Sequence, residues 1–248
     1  MIDSVVCWKW RPTQPSGPRF FDSSHVNVLR AMVERHLPIP HRFICITDDT
    51  DGLDPRIEAL PLPPLTFDGL VNPHQHKYDR ARSWGSKKYF PSCYRRLWLF
   101  SEEAKALGSR VLALDVDLIV TGSLLPLVER KEAFIGWCDE RNTKRRVAGG
   151  VYLLRTGSRK DVWETFDPET SPQLAAAAGY TGSDQAWMSY KLCPGAATWG
   201  RADGLTKITW LKGEPDETTR LVFTSGRDPP WNRDVMRRWP WITKYWTL

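Results

Sequence analysis

Short apolar runs, separated by polar turns, dominate the first half of the chain and predict β-strands. Such runs lie at Ile2 to Trp8, Phe43 to Thr47, Ile57 to Leu60 and Arg110 to Leu114, with two more at residues 133–137 and 150–154. The run that ends at Leu114 is apolar after its first residue, which is typical of a parallel strand covered on both faces. We therefore expect a largely parallel sheet.

Segments whose apolar residues have helical spacing lie between the predicted strands. One apolar stripe runs from Val26 to Leu37, with Ser23 or Ser24 as its expected cap and Pro38 at its end. A longer helix is predicted from Ser92 to Leu107, stopped by Gly108, and two others at residues 158–166 and 183–192. Alternating strands and helices predict an α/β fold: a mostly parallel central sheet flanked by helices.

No linker of biased composition divides the chain, so we expect residues 1–248 to form a single domain. Residues 61–91, rich in Pro, Gly, His and basic residues, are predicted to form a long irregular stretch of the kind that is usually functional or mobile. The C-terminal third, after Pro194, is rich in Gly, Pro and Trp. This composition predicts irregular structure, with one strand at Leu221 to Thr224.

Composition narrows the class of protein. Charged residues make up 26% and apolar residues 41%, which excludes a disordered chain, and 35 basic against 29 acidic residues give a net charge of +6. The most apolar stretch, Val111 to Val120, is too short to span a bilayer, and no signal peptide is visible. The five cysteines show no CxxC pair, which favours a reducing, cytoplasmic location.

The sharpest chemical motif is Asp115-Val116-Asp117, which follows directly after the apolar strand that ends at Leu114. Strand alternation places both carboxylates on one side, at the strand end where ligands bind in open α/β sheets. Two anions this close repel each other unless a cation neutralises them, and Mg²⁺ or Mn²⁺ prefers oxygen ligands of this kind and also binds diphosphates. The alternative is a pair of aspartates that caps the following turn.

Three weaker motifs follow, each with a plain structural alternative. Gly149 and Gly150 open a strand, where they either let a ligand approach the backbone or simply start the strand. Asp184 and Gln185 begin a predicted helix, which Ser183 or Asp184 would cap if it had no other role. Basic residues cluster in two places, as solvated surface or as phosphate contacts: Arg80, Arg82, Lys87 and Lys88 around Trp84, and Arg141, Lys144, Arg145 and Arg146.

Taken in order, these pieces resemble nucleotide-sugar glycosyltransferases with the GT-A fold, near family 8 and its small bacterial and phage relatives. The matching segments cover most of the chain: HVNVLRAMVERHL, RFICITDD, YRRLWLF, RVLALDVDLIVTGSL, GGVYLLR, GSDQAWM and FTSGRDPPW. Each segment is weakly specific by itself, but their order and spacing together are specific.

The resemblance implies a role for several residues. Asp115 and Asp117 would bind the divalent metal, Mn²⁺ or Mg²⁺, that holds the sugar diphosphate. Nucleotide-sugar contacts are implied at Cys7, Trp8, Thr47, Asp48, Gly149 and Gly150. A basic residue facing the donor would be Arg95 or Arg96, and Asp184 and Gln185 would lie beside the transferred sugar. The chain departs from the family in having no histidine after His76 to serve as third metal ligand, which makes Asp228 the substitute candidate.

The expected activity is transfer of a hexose from a nucleotide sugar, with a uridine diphosphate sugar favoured, to a hydroxyl acceptor on a glycan or another molecule. One rival keeps the activity but takes hydroxylated DNA bases, a polyanionic acceptor, because the basic residues and tryptophans suit stacking and phosphate contacts. A second rival is a non-catalytic, basic nucleic-acid-binding protein. A third rival is a nucleotidyltransferase, but the glycine-rich loop expected of that class is not evident after Trp8.

Overall fold

The computed structural model describes residues 2–10, 21–63, 93–141, 146–224 and 228–248. Ten strands occur in this part of the chain: β1 (Ser4–Lys9), β2 (Arg42–Thr47), β3 (Glu58–Pro61), β4 (Arg110–Leu114), β5 (Leu118–Val120), β6 (Phe134–Trp137), β7 (Ala148–Arg155), β8 (Ala197–Trp199), β9 (Leu205–Lys207) and β10 (Leu221–Phe223). Seven of them form a central sheet in the order β3-β2-β1-β4-β7-β6-β8, and the other three form a small sheet in the order β5-β10-β9.

Strand direction in the central sheet decides which residues meet. All its strands run the same way except β7, which is antiparallel to both β4 and β6. The carboxyl ends of β1, β2, β4 and β6 therefore lie at one edge together with the start of β7. We call this the carboxyl edge, and the opposite one the amino edge. The predicted α/β fold with a mostly parallel central sheet is confirmed.

Seven α-helices accompany the strands in the described residues: α1 (Ser23–His36), α2 (Leu125–Val128), α3 (Asp161–Glu164), α4 (Ser171–Ala177), α5 (Asp184–Leu192), α6 (Arg233–Arg238) and α7 (Ile242–Tyr245). None of the helices in these residues is long and apolar enough to cross a bilayer. One apolar core packs α1 and the small sheet against one face of the central sheet. A second core packs α5 and the segment from residue 93 to 107 against the other face.

The cap of α1 differs from the predicted one. Asp22, not Ser23 or Ser24, is the N-cap, and its Oδ1 accepts hydrogen bonds from the backbone N–H groups of Ser24 at 2.9 Å and His25 at 3.3 Å. His25 completes a capping box because its Nδ1 accepts from the backbone N–H of Asp22 at 3.0 Å.

The predicted helix up to Leu107 is wrong in type. Two 3-10 helices, Cys93–Phe100 and Glu103–Leu107, occupy this segment. The buried residues Tyr94, Leu97 and Phe100 recur every three positions, which matches the three residues per turn of a 3-10 helix. Ser101 separates the two helices, and its Oγ accepts from the backbone N–H of Ala104 at 3.3 Å.

The C-terminal third consists of short elements, as expected, but contains more structure than predicted. Strands β8 and β9 were not anticipated, and α3 is shorter than the predicted helix at residues 158–166. The basic cluster around Trp84, together with Lys144 and Arg145, lies outside the described residues.

Candidate active site

Three charged side chains from separate elements meet at the carboxyl edge. Arg96 comes from the 3-10 helix Cys93–Phe100, Asp115 follows β4, and Asp184 begins α5. The Arg96 guanidinium donates to Asp184 through Nε at 2.8 Å and through Nη2 at 3.1 Å, and its Nη1 forms a short ion pair with Asp115 Oδ1. One arginine therefore bridges two carboxylates that lie 69 positions apart in the chain (184 − 115).

The three side chains differ in exposure, and this separates their roles. The Asp184 side chain is 1% exposed and that of Arg96 is 13% exposed, whereas that of Asp115 is 36% exposed. Burial acts to lower the pKa of the Arg96 guanidinium, but Asp115, Asp184 and Cys93 together raise that pKa well above its usual range. Arg96 therefore keeps its positive charge. Its guanidinium is bound on the buried side by Asp184 and on the more exposed side by Asp115.

The glycine pair at the start of β7 lies directly against these charges. A Cβ atom added to Gly149 would lie 2.9 Å from Asp184 Oδ2 and 3.0 Å from Arg96 Nη2, and one added to Gly150 would lie 2.9 Å from Asp115 Oδ2. Real Cβ contacts are longer than this, so any side chain here would displace a carboxylate. Close packing against the ion-pair cluster accounts for both glycines, whereas a simple strand start would not require them.

Helix capping does not explain Asp184. Ser183 is the N-cap of α5 but makes no side-chain capping hydrogen bond. Its Oγ instead donates to Asp184 Oδ1 at 3.0 Å. The Asp184 carboxylate is thus committed to Arg96 and Ser183, not to the helix N-terminus.

Gln185 lies beside this cluster and is half-buried. Its side chain covers Gly182, where an added Cβ would lie 2.4 Å from Gln185 Nε2. Gly182 has a φ of +117°, in the region that favours glycine.

The structure also distinguishes Arg95 from Arg96, which the sequence left as alternatives for the basic residue that faces the donor. Arg96 contacts Asp115 and Asp184, whereas Arg95 is buried with its guanidinium 4.7 Å from the centre of the Trp10 ring. Arg95 therefore packs toward the end of β1, and Arg96 is the arginine of the charged cluster.

The predicted nucleotide-contacting residues lie at the ends of β1 and β2. Cys7 is fully buried beside Cys45, and the hydrogen bond between the two thiols, together with burial, raises the pKa of Cys7 well above its usual range. Trp8 is also buried, and its ring meets those of Trp10 and Trp98 edge-on. Thr47 Oγ1 donates to the backbone carbonyl of Asp49, and Asp48 is exposed at the edge.

Sequence reasoning missed a buried ion pair at this position. Lys9, at the end of β1, is 2% exposed, and its Nζ lies 3.1 Å from Asp49 Oδ2. A lysine directly after an apolar strand and an aspartate in the turn after the next strand are visible in the sequence. Only the parallel pairing of β1 with β2 shows that they meet.

The two aspartates of the Asp-x-Asp motif flank Val116 in the turn between β4 and β5. The backbone N–H of Asp115 donates to the Gly150 carbonyl at 2.8 Å, and the Asp117 carbonyl accepts from Thr224 Oγ1 at 2.8 Å. These contacts tie the motif to β7 on one side and to β10 on the other.

The motif has the donor set of a magnesium or manganese site that a substrate completes. One or two carboxylates plus substrate phosphates and water are the usual ligands of Mg²⁺. In the described residues, no three His, Cys, Asp or Glu side chains come together to hold a metal ion. Asp115, Asp117 and Asp228 thus do not form such a group of three, and Asp228 Oδ1 lies 3.9 Å from Arg238 Nη1.

A second charged group, also missed from the sequence, follows the end of β6. Asp139 is 5% exposed and pairs with Lys207 from the end of β9. The Lys207 ammonium lies over the rings of Trp137 and Trp210, at 5.5 Å and 5.4 Å from their centres. Trp137 in turn stacks on Phe223 with ring centres 3.6 Å apart, and the Phe223 ring lies 3.5 Å from the Cβ position of Gly150.

Comparison with solved structures reveals several glycosyltransferases with this architecture. The galactosyltransferase LgtC, solved in complex with donor and acceptor sugar analogs, has 17% identity and a TM-score of 0.62, over 99% of this chain and 97% of that one. The apo form of the glycosyltransferase GlyE from Streptococcus pneumoniae TIGR4 has 14% identity and a TM-score of 0.58, over 94% of this chain and 57% of that one. The bifunctional glycosyltransferase WbbM has 12% identity and a TM-score of 0.52, over 98% of this chain and 50% of that one.

No protein-family profile and no curated protein matches the sequence itself. The likeness is therefore one of structure, and it extends along nearly the whole chain. The chain has the fold of GT-A glycosyltransferases, with a charged cluster at the carboxyl edge of its central sheet.

Proposed function

We propose that the chain is a glycosyltransferase that moves a hexose from a nucleoside diphosphate sugar, uridine diphosphate being the favoured carrier, to a hydroxyl acceptor. The observation that carries this proposal is the bridging of Asp115 and Asp184 by Arg96 beside two side-chain-free glycines. Buried charges are costly unless paired, and such networks cluster at functional sites. Fold likeness to several glycosyltransferases supports the same activity.

Two regions of the carboxyl edge serve the donor in this proposal. The ends of β1 and β2, with Cys7, Trp8, Thr47 and Asp48, form the nucleotide side. Asp115 and Asp117 would hold Mg²⁺ or Mn²⁺, which would supply positive charge to the leaving diphosphate.

The cluster around Arg96 serves the sugar and its diphosphate. Arg96 contributes a fixed cation near the charge that develops on the leaving group. Asp184, almost fully buried, positions Arg96, while half-buried Gln185 lies beside the transferred sugar. A glutamine is an active-site residue in LgtC, where its replacement by glutamate has been solved as an active-site mutant.

In the overall reaction, the bond between the sugar C1 and the diphosphate oxygen breaks, and its electron pair leaves with the nucleoside diphosphate. The acceptor oxygen forms a new bond to C1 and loses its proton to the departing diphosphate or to water. We assign the donor nucleotide to the side of β4 where β1 and β2 lie, and the acceptor to the side where β7, β6 and β8 lie.

Release of nucleoside diphosphate from a panel of nucleotide sugars, with Mn²⁺ or Mg²⁺ present, tests the proposal. Chelation and Asp117→Asn are each expected to abolish release, whereas Asp234→Asn, in an ion pair exposed on α6, serves as the matched control. Full turnover in excess chelator would contradict the metal requirement, and no turnover of any nucleotide sugar would contradict the activity.

The nucleic-acid rivals rest on basic residues of which several lie outside the described part of the chain. No contact among the described residues favours them over a sugar acceptor. We also propose a reducing, cytoplasmic location, because the five cysteines show no CxxC pair and no pattern of a disulfide framework.

A further inference from the structure

A cationic aromatic surface lies on the side of the cluster that the donor does not occupy. Trp210 is half-buried, and two cations lie over its ring: the Arg141 guanidinium at 4.6 Å and the Lys207 ammonium at 5.4 Å from the ring centre. Two like charges on one ring repel each other unless an anion neutralises them. Lys207 has its anion in Asp139.

Arg141 has no such anion in the described part of the chain. Arg141 reaches Asp139 only through its backbone N–H, which donates to Oδ1 at 3.2 Å, while Asp139 Oδ2 pairs with Lys207. The neighbouring Glu140 turns away and accepts from the backbone N–H of Arg201 at 3.0 Å. The exposed guanidinium of Arg141 is thus oriented by Trp210 but not neutralised, which leaves its hydrogen-bonding edge to solvent.

This surface is within reach of the reaction centre. Asp139 follows β6. In the central sheet β6 lies two strands from β4, so the two strands are about 10 Å apart. A chain of contacts from Asp115 through Gly150, Phe223 and Trp137 leads to Lys207 and Trp210. A saccharide of two or three rings whose reacting hydroxyl faces the donor sugar beside Asp115 would extend toward Arg141.

We propose that Arg141, held on Trp210, binds an anionic group of the acceptor, so that the enzyme glycosylates an acidic saccharide. The proposal rests on the function proposed above and adds the chemical class of the second substrate. Arg141 forms charge-assisted hydrogen bonds with a carboxylate or phosphate, and the exposed part of Trp210 supports the ring of the sugar that carries it.

The test separates acceptor recognition from catalysis. Binding of methyl β-glucuronide, glucose 6-phosphate and the neutral methyl β-glucoside is measured by NMR titration of the whole chain, with no donor present. Wild-type protein is expected to bind at least one charged sugar about tenfold more tightly than the neutral one, in keeping with one charge-assisted contact. The two charged probes distinguish a carboxylate from a phosphate requirement.

Arg141→Gln is expected to remove that difference while leaving binding of the neutral sugar unchanged. Arg141→Lys keeps the charge but not the planar, stacked geometry and should give an intermediate loss. The control is Arg155→Gln, which removes one exposed positive charge at the amino edge and should change neither affinity. Raising the salt concentration should weaken binding of the charged sugars only.

Several outcomes would overturn the proposal. These are equal affinity of wild-type protein for charged and neutral sugars, equal losses in Arg141→Gln and Arg155→Gln, or Arg141-dependent binding of a short oligonucleotide with no binding of either charged sugar. Donor hydrolysis is measured separately. If hydrolysis fails while the Arg141-dependent preference holds, the proposed function is wrong but the anion site stands.

Discussion

Ion pairs at the two edges of the central sheet use the same residue types but differ in burial. At the carboxyl edge, three pairs contain a partner that is almost fully buried: Lys9 at 2%, Asp139 at 5% and Asp184 at 1% exposure. At the amino edge, Arg42 and Glu58 pair at 2.6 Å with 43% and 39% of their side chains exposed. Asp3 caps the start of β4 there through hydrogen bonds from Ser109 and Arg110.

The difference in burial helps to distinguish ion pairs of the candidate site from ordinary surface pairs. An exposed ion pair contributes little because water solvates both partners equally well when they are apart. A buried pair loses that solvation and stabilises the fold little or not at all, yet removing one partner is costly. Three pairs with an almost fully buried partner at one edge therefore support the proposal that this edge binds a charged ligand. The experiments below test this comparison.

The largest effect is expected for Arg96→Gln. It leaves buried Asp184 without its cation, so the free energy of unfolding should fall by about 3–5 kcal/mol. Loss of a fixed charge near the leaving group should also lower the rate of transfer by about 10²–10³-fold. Denaturant unfolding and the transfer assay check the two effects, and unchanged stability would show that the bridging contacts are not formed in solution.

Asp184→Asn should reduce the transfer rate by about tenfold or more, through loss of the charge that positions Arg96, with a smaller loss of stability. Asn caps helices as well as Asp does, so a capping role alone would leave both quantities unchanged. Circular dichroism melts and single-turnover rates on the same preparation distinguish the two cases.

Gly150→Ala should lower the transfer rate by about tenfold, because the new Cβ would lie 2.9 Å from Asp115 Oδ2 and push that carboxylate aside. Gly213→Ala is the matched control, since nothing lies within 4 Å of its added Cβ. Equal rates for the two alanine variants would mean that the position of Asp115 is not critical.

The smallest effect is expected at the amino edge, for Arg42→Gln. The hydrogen bond from Arg42 lowers the pKa of Glu58, so the pair stabilises the fold above the ordinary pKa of 4.5 and loses that effect as pH falls through the lowered value. The variant should lose less than about 1 kcal/mol at pH 7 and nothing in activity. Its difference from wild type should shrink in unfolding curves recorded below pH 4.5; a constant difference would contradict the assigned cause.

The parts of the fold that follow from local patterns were predictable. Apolar runs located β1, β2, β4 and β7, and the helix predicted at residues 183–192 matches α5 to within one residue. The helix predicted up to Leu107 was wrong because three-residue and 3.6-residue spacings are hard to distinguish over a few turns. The strands of the small sheet are only three residues long, too short for a pattern to show all of them.

In the candidate site, too, residues within local motifs were predictable and contacts between distant segments were not. Asp115, Asp117 and the two glycines stand out because motif and strand end coincide in the sequence. The choice of Arg96 over Arg95, and the pairs Lys9–Asp49 and Asp139–Lys207, depend on which strands become neighbours. Partners 40 and 68 residues apart give no local indication of each other.

Strand order also affects how the protein is made on the ribosome. Chains fold from the N-terminus as they emerge, but β1, near the start, pairs with β4, which begins only at Arg110. Asp184 emerges 88 residues after Arg96. Until α5 is present, Arg96 lacks its contact with Asp184, and the docking of α5 brings the buried Asp184 carboxylate against Arg96. A nascent chain can therefore assemble most of the central sheet before the candidate site is complete, because Asp184 and α5 follow β7 in the sequence.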